Sequence, residues 1–499
     1  MVEVEGERMA DMRRAKKFAF DVGWVFTSSI IILLLHFFQK PIMARYLGPD
    51  GLGLFSMATM IVGIIEIIAV FGINGALVKF VAEYESKGWR DKVYSLVSSA
   101  FITLLIIGII SGVVLFFLSN VFANIFDMPL LSSLLKIYAL AFPFSLLHGT
   151  IISYFNGLRK MTYYAFIRIL LAALSLMFIL VFLIIGLGVK GAMLGTVLAI
   201  VVTVIIATTI MRKFISFTFS DYRKYTKVLV SFGSRLVGAT MINEIYNYVD
   251  ILMIGYFLTS TDVGYYAVAI SLGKFFWLVP RAIARVSYPA MSEYWAKKDI
   301  QAMNKLVDRA TRYSTCILVF AGMLVIFFAK DIINFLFTSE FLQAILPLII
   351  LIIGTVTSGI FGSIGNIFVS IGRVNMELII STINTIGAIL LNIALIPTYG
   401  IIGAATATTA SYMLNVGIRI YFLKKILAIK LDISWYTKMA MLIGLLVVLF
   451  YVLAFLNCYL SAMIALLLYT IATMKYFLTK EDRTYFISIA KHTLDVILK

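Results

Sequence analysis

Three basic side chains lie within one apolar stretch of the chain: Lys274, Arg281 and Arg285, at spacings of seven and four residues. Because an α-helix turns once every 3.6 residues, these spacings place the three residues on one helical face. An ionisable group at the centre of a bilayer costs roughly 2.5–3.5 kcal/mol to insert. The sequence therefore predicts that this face lines a water-filled cleft, where it can bind an anionic group. The alternative is that Arg285 reaches the inner membrane surface and that Lys274 pairs with a carboxylate.

Two further ionisable residues are candidates for the same cleft. Arg235 lies in the preceding apolar stretch, and consecutive spans are commonly neighbours, so it is expected to join the basic face. Glu66 lies in an earlier span, where it either pairs with a cation across the cleft or takes up a proton. Motifs for catalytic zinc, thiol redox, serine nucleophiles and phosphate loops are missing from the sequence, so we expect no catalytic residue, metal or cofactor.

The composition indicates what positions these side chains. Of 499 residues, 62% are hydrophobic and 13% are charged, whereas soluble domains are about 45–50% apolar and about 25% charged. The mean hydropathy is +1.01. A span needs about 20 apolar residues, so the sequence predicts an all-α polytopic membrane protein with about 14 transmembrane helices and no large soluble domain. The predicted spans are 18–38, 53–76, 94–119, 130–156, 161–186, 188–211, 227–258, 262–290, 310–329, 342–369, 374–396, 400–423, 438–456 and 460–479.

The basic residues predict the orientation of these spans. With the N-terminus inside, the segments predicted outside hold only Lys40, Arg45, Lys190 and Lys330, and the other basic residues between spans lie inside. Cytoplasmic loops of polytopic proteins accumulate Lys and Arg. Both termini are therefore predicted to be cytoplasmic, and the net charge of +17 needs no nucleic-acid partner.

The chain also resembles itself at a shift of about 211 residues, which predicts a duplication. Leu47, Gly53 and Ala58 match Leu258, Gly264 and Ala269, and two further segments match at nearly the same shift. The shift covers six helices, an even number, so the two repeats would be parallel, as in many secondary transporters. The predicted organisation is a first six-helix bundle at 1–211, a cytoplasmic linker at 212–226, a second six-helix bundle at 227–424, an appended helix pair at 425–479 and a cytoplasmic amphipathic tail at 480–499.

Two sequence elements resemble a known family. The segment 44–55, Ala-Arg-Tyr-Leu-Gly-Pro-Asp-Gly-Leu-Gly-Leu-Phe, is similar to a signature of polysaccharide-biosynthesis flippases. These belong to the multidrug/oligosaccharidyl-lipid/polysaccharide exporter superfamily. The segment 250–258, Asp-Ile-Leu-Met-Ile-Gly-Tyr-Phe-Leu, resembles the corresponding element that opens the second half. The resemblance covers essentially the whole chain.

The resemblance implies a flippase of the cell membrane that moves an anionic lipid-linked oligosaccharide or polysaccharide precursor by alternating access. Its expected partners are the lipid-linked saccharide and membrane lipids, with a coupling ion left open, and the chain is expected to act as a monomer. One alternative is a cation-coupled multidrug exporter of the same superfamily, which would favour acidic cavity residues. Another is a membrane-embedded glycosyltransferase, which would need a sizeable loop with catalytic carboxylates.

Overall fold

The computed structural model describes residues 2–218, 220–427, 431–455, 457–479 and 482–483, and every regular element in these ranges is helical. The predicted all-α class is therefore confirmed. Most of the tail predicted at 480–499 lies outside the described residues. The α-helices are α1 (Val2–Val70), α2 (Ile73–Ser86), α3 (Arg90–Ile125), α4 (Pro129–Ala139), α5 (Phe142–Gly157), α6 (Met161–Ile184), α7 (Gly188–Met211), α8 (Tyr222–Phe257), α9 (Ser260–Gly273), α10 (Leu278–Ala296), α11 (Ile300–Phe327), α12 (Ala329–Leu336), α13 (Ile345–Gly362), α14 (Ile367–Ser370), α15 (Val374–Leu427), α16 (Ile433–Ala454) and α17 (Cys458–Ala472). Two 3-10 segments, Lys274–Trp277 and Ser339–Ala344, and one π-helical turn, Thr473–Phe477, complete the described elements.

The described residues contain ten helices that are long and apolar enough to cross a membrane, or eleven if α4 and α5, bent by 54°, form one span. The predicted number of about 14 stays a prediction. Two of the ten helices are long enough for two passes. Gly23–Val70 has 48 residues, which corresponds to about 72 Å of helix against a hydrocarbon core of about 30 Å. It is broken at Gly48 (φ 64°, ψ −176°), and α15 is broken at Gly400 (φ 61°, ψ −140°), conformations that glycine adopts most readily.

The chain forms two compact units. Unit 1 comprises 1–268, 334–344 and 388–404, and unit 2 comprises 269–333, 345–387 and 405–499. The domain boundaries predicted from the repeat stay a prediction.

Two turns at corresponding repeat positions have the same hydrogen bonds. In the α2–α3 turn the Trp89 N–H donates to the Tyr84 carbonyl at 2.9 Å, and in the α10–α11 turn the Asp299 N–H donates to the Tyr294 carbonyl at 2.9 Å. Gly88 and Lys298 occupy the left-handed position of each turn. An i,i+4 ion pair precedes each turn: Lys87 with Glu83 at 2.6 Å, and Lys297 with Glu293 at 2.5 Å. All of these residues are offset by 210 positions.

The core of unit 1 depends on glycines at helix crossings. A Cβ on Gly195 of α7 would lie 2.7 Å from the backbone nitrogen of Ile179 in α6, and one on Gly112 of α3 would lie 2.6 Å from the Ala139 carbonyl oxygen in α4. Small residues allow this approach, which drives helix association in a bilayer where burial from water supplies no force between helices.

Substitution of Gly195 by alanine is expected to destabilise the chain by about 1–3 kcal/mol, because the added methyl group forces two backbones apart. Gly444 of α16 is a matched control, since its Cβ would meet no atom within 4 Å. The measurement is thermal unfolding in detergent. A Gly195→Ala variant as stable as the Gly444→Ala variant would contradict the packing described.

Asp482 connects the end of unit 2 to α11. Its carboxylate accepts hydrogen bonds from the Thr479 hydroxyl at 2.6 Å, from the Thr479 N–H at 3.2 Å and from the Tyr313 hydroxyl. Burial alone would raise the pKa of Asp482, but these hydrogen bonds hold the pKa below its ordinary value.

A lowered folded-state pKa means that Asp482 contributes stability above the unfolded-state value of about 3.9, and that this contribution is lost as the pH falls through the lower folded-state value. We therefore expect the unfolding temperature of the parent to fall more steeply than that of Asp482→Asn in this acidic window. Parallel curves for the two proteins between pH 6 and pH 3 would contradict the assignment.

Candidate functional site

The segment that carries the three predicted basic residues is not one continuous α-helix. Lys274 opens the 3-10 segment Lys274–Trp277, and α10 begins at Leu278. The span predicted at 262–290 lies within the apolar helical stretch Ser260–Ala296, but its α-helix is interrupted there. The physical reason lies at Pro280, which has no N–H to donate to the carbonyl four residues earlier, at Phe276. The turn tightens instead, and the Leu278 N–H donates to the Phe275 carbonyl.

The tighter turn changes the predicted basic face. Four residues at about 120° each, rather than about 100°, rotate Lys274 by about 80° relative to a continuous α-helix. Arg281 and Arg285 remain one turn apart on α10, and all three side chains are exposed. Two guanidinium groups at this spacing present several N–H donors to one anionic group, in the geometry that suits phosphate oxygens.

Residues 274–285, which we call the basic segment, pack against glycines of α13 in unit 2. A Cβ on Gly362 would lie 3.0 Å from the Trp277 ring and 3.3 Å from Pro280, and one on Gly359 would lie 3.3 Å from Pro280. Trp277 also contacts the Tyr412 ring edge-on, with 6.0 Å between centroids. The apolar side of the segment is thus packed, while its basic side chains remain exposed.

Unit 1 contains a cavity of about 380 Å³ that is lined in part by Glu66. The Glu66 carboxylate accepts hydrogen bonds from the Tyr138 hydroxyl at 2.9 Å and from the Ser145 hydroxyl. In the described part of unit 1, its bonding partners are therefore hydroxyl groups of α4 and α5. The cavity is lined by Gly63, Glu66, Ile67, Val70, Gly72, Asn74, Gly75, Leu236, Val237, Glu244 and Tyr248.

Arg235 is exposed on α8 and does not line this cavity, although the next two residues do. Two residues earlier, α8 passes close to the start of α2: a Cβ on Gly233 would lie 2.5 Å from the Phe71 carbonyl oxygen, and a Cβ on Gly72 would lie 2.3 Å from the Gly233 carbonyl oxygen. The structure therefore brings Glu66 near α8 but leaves the Arg235 side chain outside the cavity.

Two cavity residues escaped sequence reasoning. The Asn74 side-chain oxygen is buried and accepts no hydrogen bond within the described structure, and Tyr248 lines the cavity beside the second carboxylate, Glu244. In the structure, two positive-φ residues before Asn74, Phe71 and Gly72, turn the chain so that α2 starts beside α8, and the sequence contained no signal of this turn beyond the glycine.

Unit 2 also contains a partly buried ion pair that spacing did not reveal. The Arg419 guanidinium binds both oxygens of the Glu377 carboxylate, with 3.0 Å from Nη1 to Oε2. Arg419 further donates to the Asn415 side chain at 2.8 Å and to the Gly365 carbonyl at 3.0 Å. Glu377 lies in the first turn of α15 and Arg419 lies after the break at Gly400, so the pair joins the two segments of this helix.

Two models of known protein families match this chain. The model described as polysaccharide biosynthesis protein matches residues 18–295. A second model, described as lipid II flippase MurJ, matches residues 259–477.

Two curated relatives share the same level of identity. A probable low-salt glycan biosynthesis flippase, Agl15 of Haloferax volcanii, is 25% identical over 224 residues, which are 44% of this chain and 48% of the relative. The aligned part thus spans about half of that relative. An uncharacterized membrane protein of Methanocaldococcus jannaschii is 25% identical over 428 residues, which are 81% of this chain and 84% of the relative.

Solved structures share the fold. The lipid II flippase MurJ in an inward closed conformation superposes with a TM-score of 0.72 at 17% identity, over 91% of this chain and 98% of the other. A MATE family multidrug resistance transporter in an inward-facing conformation superposes with a TM-score of 0.62 at 15% identity, over 79% of this chain and 96% of the other.

Proposed function

The chain belongs to the polysaccharide biosynthesis protein family, and on that premise we propose that it is a flippase that moves an anionic lipid-linked oligosaccharide or polysaccharide precursor across the cell membrane. The predicted family is confirmed, and the chain is a multi-pass membrane protein. The family relationship makes it a transporter rather than an enzyme.

The observation that carries the proposal is the basic segment of unit 2. It lies inside the part of the chain that matches the lipid II flippase model, and it exposes Lys274, Arg281 and Arg285. A phosphate-bearing head group needs charge-assisted donors of this kind, and Arg presents them as a planar fork. The lipid tail remains in the bilayer while the head group crosses. We propose the three residues as the main cargo contacts, and Arg235 and Glu66 as additional ones.

The proposed architecture has 14 spans with both termini in the cytoplasm, in two parallel six-helix repeats at 1–211 and 227–424 and an appended pair at 425–479. The equivalent turns at Gly88 and Lys298 support the repeat. Gly188 and Gly400, which are 212 positions apart, support it further, because both adopt a positive φ at the start of a helical segment. In this proposal the chain acts as a monomer, and alternating access between its two repeats carries the head group across the membrane. The proposal does not specify a coupling ion.

The test uses the full chain in proteoliposomes that contain a fluorescent lipid-linked saccharide diphosphate. We expect chain-dependent loss of the fluorophore to an external quencher that does not cross the membrane. Vesicles with the same amount of heat-inactivated chain are the control, and equal rates in the two preparations would reject the proposal.

A second candidate is cation-coupled export of multidrug compounds. It is favoured by the cavity of unit 1, whose ionisable lining residues, Glu66 and Glu244, are acidic. Cargo charge distinguishes the two functions. Thermal stabilisation of the chain by lipid-linked saccharide diphosphates favours the flippase, whereas stabilisation by lipophilic organic cations alone favours the exporter.

A further inference from the structure

Two glycines of unit 1 make reciprocal contacts at equivalent repeat positions. A Cβ on Gly53 would lie 1.7 Å from the Ser260 carbonyl oxygen, and a Cβ on Gly264 would lie 2.0 Å from the Pro49 carbonyl oxygen. A shift of 211 residues converts Pro49 into Ser260 and Gly53 into Gly264, so each contact is the image of the other. We call these four residues the glycine seam. Such reciprocity is the mark of an interface formed around a two-fold axis.

The backbone before each half of the seam breaks within one residue of the same repeat position: Gly48 corresponds to Thr259, and the second break lies at Leu258. Gly48, with φ 64° and ψ −176°, interrupts α1 directly before Pro49. In the second half α8 ends at Phe257, the next residue, Leu258, is extended with φ −129° and ψ −156°, and α9 starts at Ser260. Each break lets a new helical segment start at the seam, so that the first turns of the two segments lie against each other. Gly53 and Gly264 are both buried there.

Polar contacts flank the seam within the same unit. The Ser260 hydroxyl donates to the Asp50 carboxylate. Arg45 donates to the Leu336 carbonyl at 3.2 Å and to the Phe335 carbonyl. These contacts are exposed hydrogen bonds, whose net contributions are small. The seam is therefore tightly packed but held by interactions that can separate and form again.

We propose that the glycine seam is a latch that closes the outer end of the transport path and must separate before cargo leaves. The proposal rests on the proposed function, and its outer placement rests on the predicted orientation, in which the segment with Lys40 and Arg45 lies outside. Glycine is required at both positions because any Cβ would overlap a carbonyl oxygen and hold the latch apart.

The first test locks the latch. Asp50→Cys and Ser260→Cys are combined in a full chain whose native Cys316 and Cys458 are replaced by serine, with a protease site in the 212–221 segment to report the crosslink on a gel. We expect oxidation to link the two fragments and to lower the flipping rate at least tenfold, and we expect reduction to restore the rate. The two single-cysteine chains are the controls. Failure to crosslink, or full flipping by the crosslinked chain, would overturn the latch.

The second test opens the latch and needs no transport. In chains with Ser260→Cys as the single cysteine, Gly53→Ala and Gly264→Ala are each expected to raise the rate of labelling by an external, membrane-impermeant maleimide about tenfold. The double variant is expected to be labelled faster than either single variant. Its fold increase in labelling rate is expected to be smaller than the product of the two single increases, because both changes open one seam. Gly238→Ala is the control, since a Cβ at that position of α8 would meet nothing within 4 Å.

Labelling rates that stay at the Gly238→Ala level in all three seam variants would overturn the latch. If instead the parent chain fails to flip any lipid-linked saccharide while the seam variants still accelerate labelling, the cargo assignment is wrong and the latch stands. The two proposals therefore fail by different readouts.

Discussion

Combined replacement of Arg281 and Arg285 by glutamine is expected to lower the flipping rate at least a hundredfold. Both guanidinium groups are exposed one turn apart on α10, and hydrogen bonds to charged groups contribute about 1.5–3 kcal/mol each. Loss of one such bond from each residue thus removes at least about 3 kcal/mol of stabilisation of the cargo head group. The measurement is the initial rate in proteoliposomes, with thermal unfolding as a check that the variant is folded.

The control variant is Lys297→Gln together with Lys298→Gln, which removes two positive charges from the turn after the same helix. It is expected to flip at the parental rate. Arg281→Lys with Arg285→Lys separates charge from geometry, because lysine keeps the charge but not the planar fork. Parental flipping by the double glutamine variant would contradict the assignment of these residues to the cargo.

Substitution of Arg419 by leucine is expected to destabilise unit 2 by about 3 kcal/mol. The pair with Glu377 is largely buried, with side-chain exposures of 15% and 27%, and removal of one partner leaves an uncompensated charge. Arg419 also loses its hydrogen bonds to Asn415 and to the Gly365 carbonyl. Unfolding by heat or denaturant in detergent is the measurement.

The reciprocal variant Glu377→Leu and the double variant complete the cycle. Because the double variant leaves no unpaired charge, it is expected to be more stable than Arg419→Leu alone. A double variant whose loss equals the sum of the single losses would contradict a direct interaction between the two side chains. Arg373→Leu is the control for loss of a basic residue, since Arg373 precedes α15 and is exposed.

The basic segment shows which part of a helical face can be predicted from the spacing of residues in the sequence. Spacings of seven and four residues placed Lys274, Arg281 and Arg285 on one face, and the structure keeps Arg281 and Arg285 one turn apart. It rotates Lys274 through the 3-10 turn. Pro280 was visible in the sequence, but a missing hydrogen bond can be accommodated by a kink or by a tighter turn. Packing of Trp277 against Gly362 accompanies the tighter turn seen here.

By itself, the sequence determined that the chain lies in a membrane, that it is helical, which family it resembles and that Gly53 and Gly264 occupy equivalent repeat positions. These properties follow from composition, local periodicity, motifs and comparison of the sequence with itself. Only the tertiary structure decided that Glu66 is bound by Tyr138 and Ser145, that Glu377 pairs with Arg419 and that the two glycines meet opposite carbonyls. The physical reason is that each of these contacts joins residues far apart in the chain. Whether they meet depends on how the helices pack and where they break. The 3.6-residue period of one helix shows which residues share a face, but it does not show which other helix packs against that face.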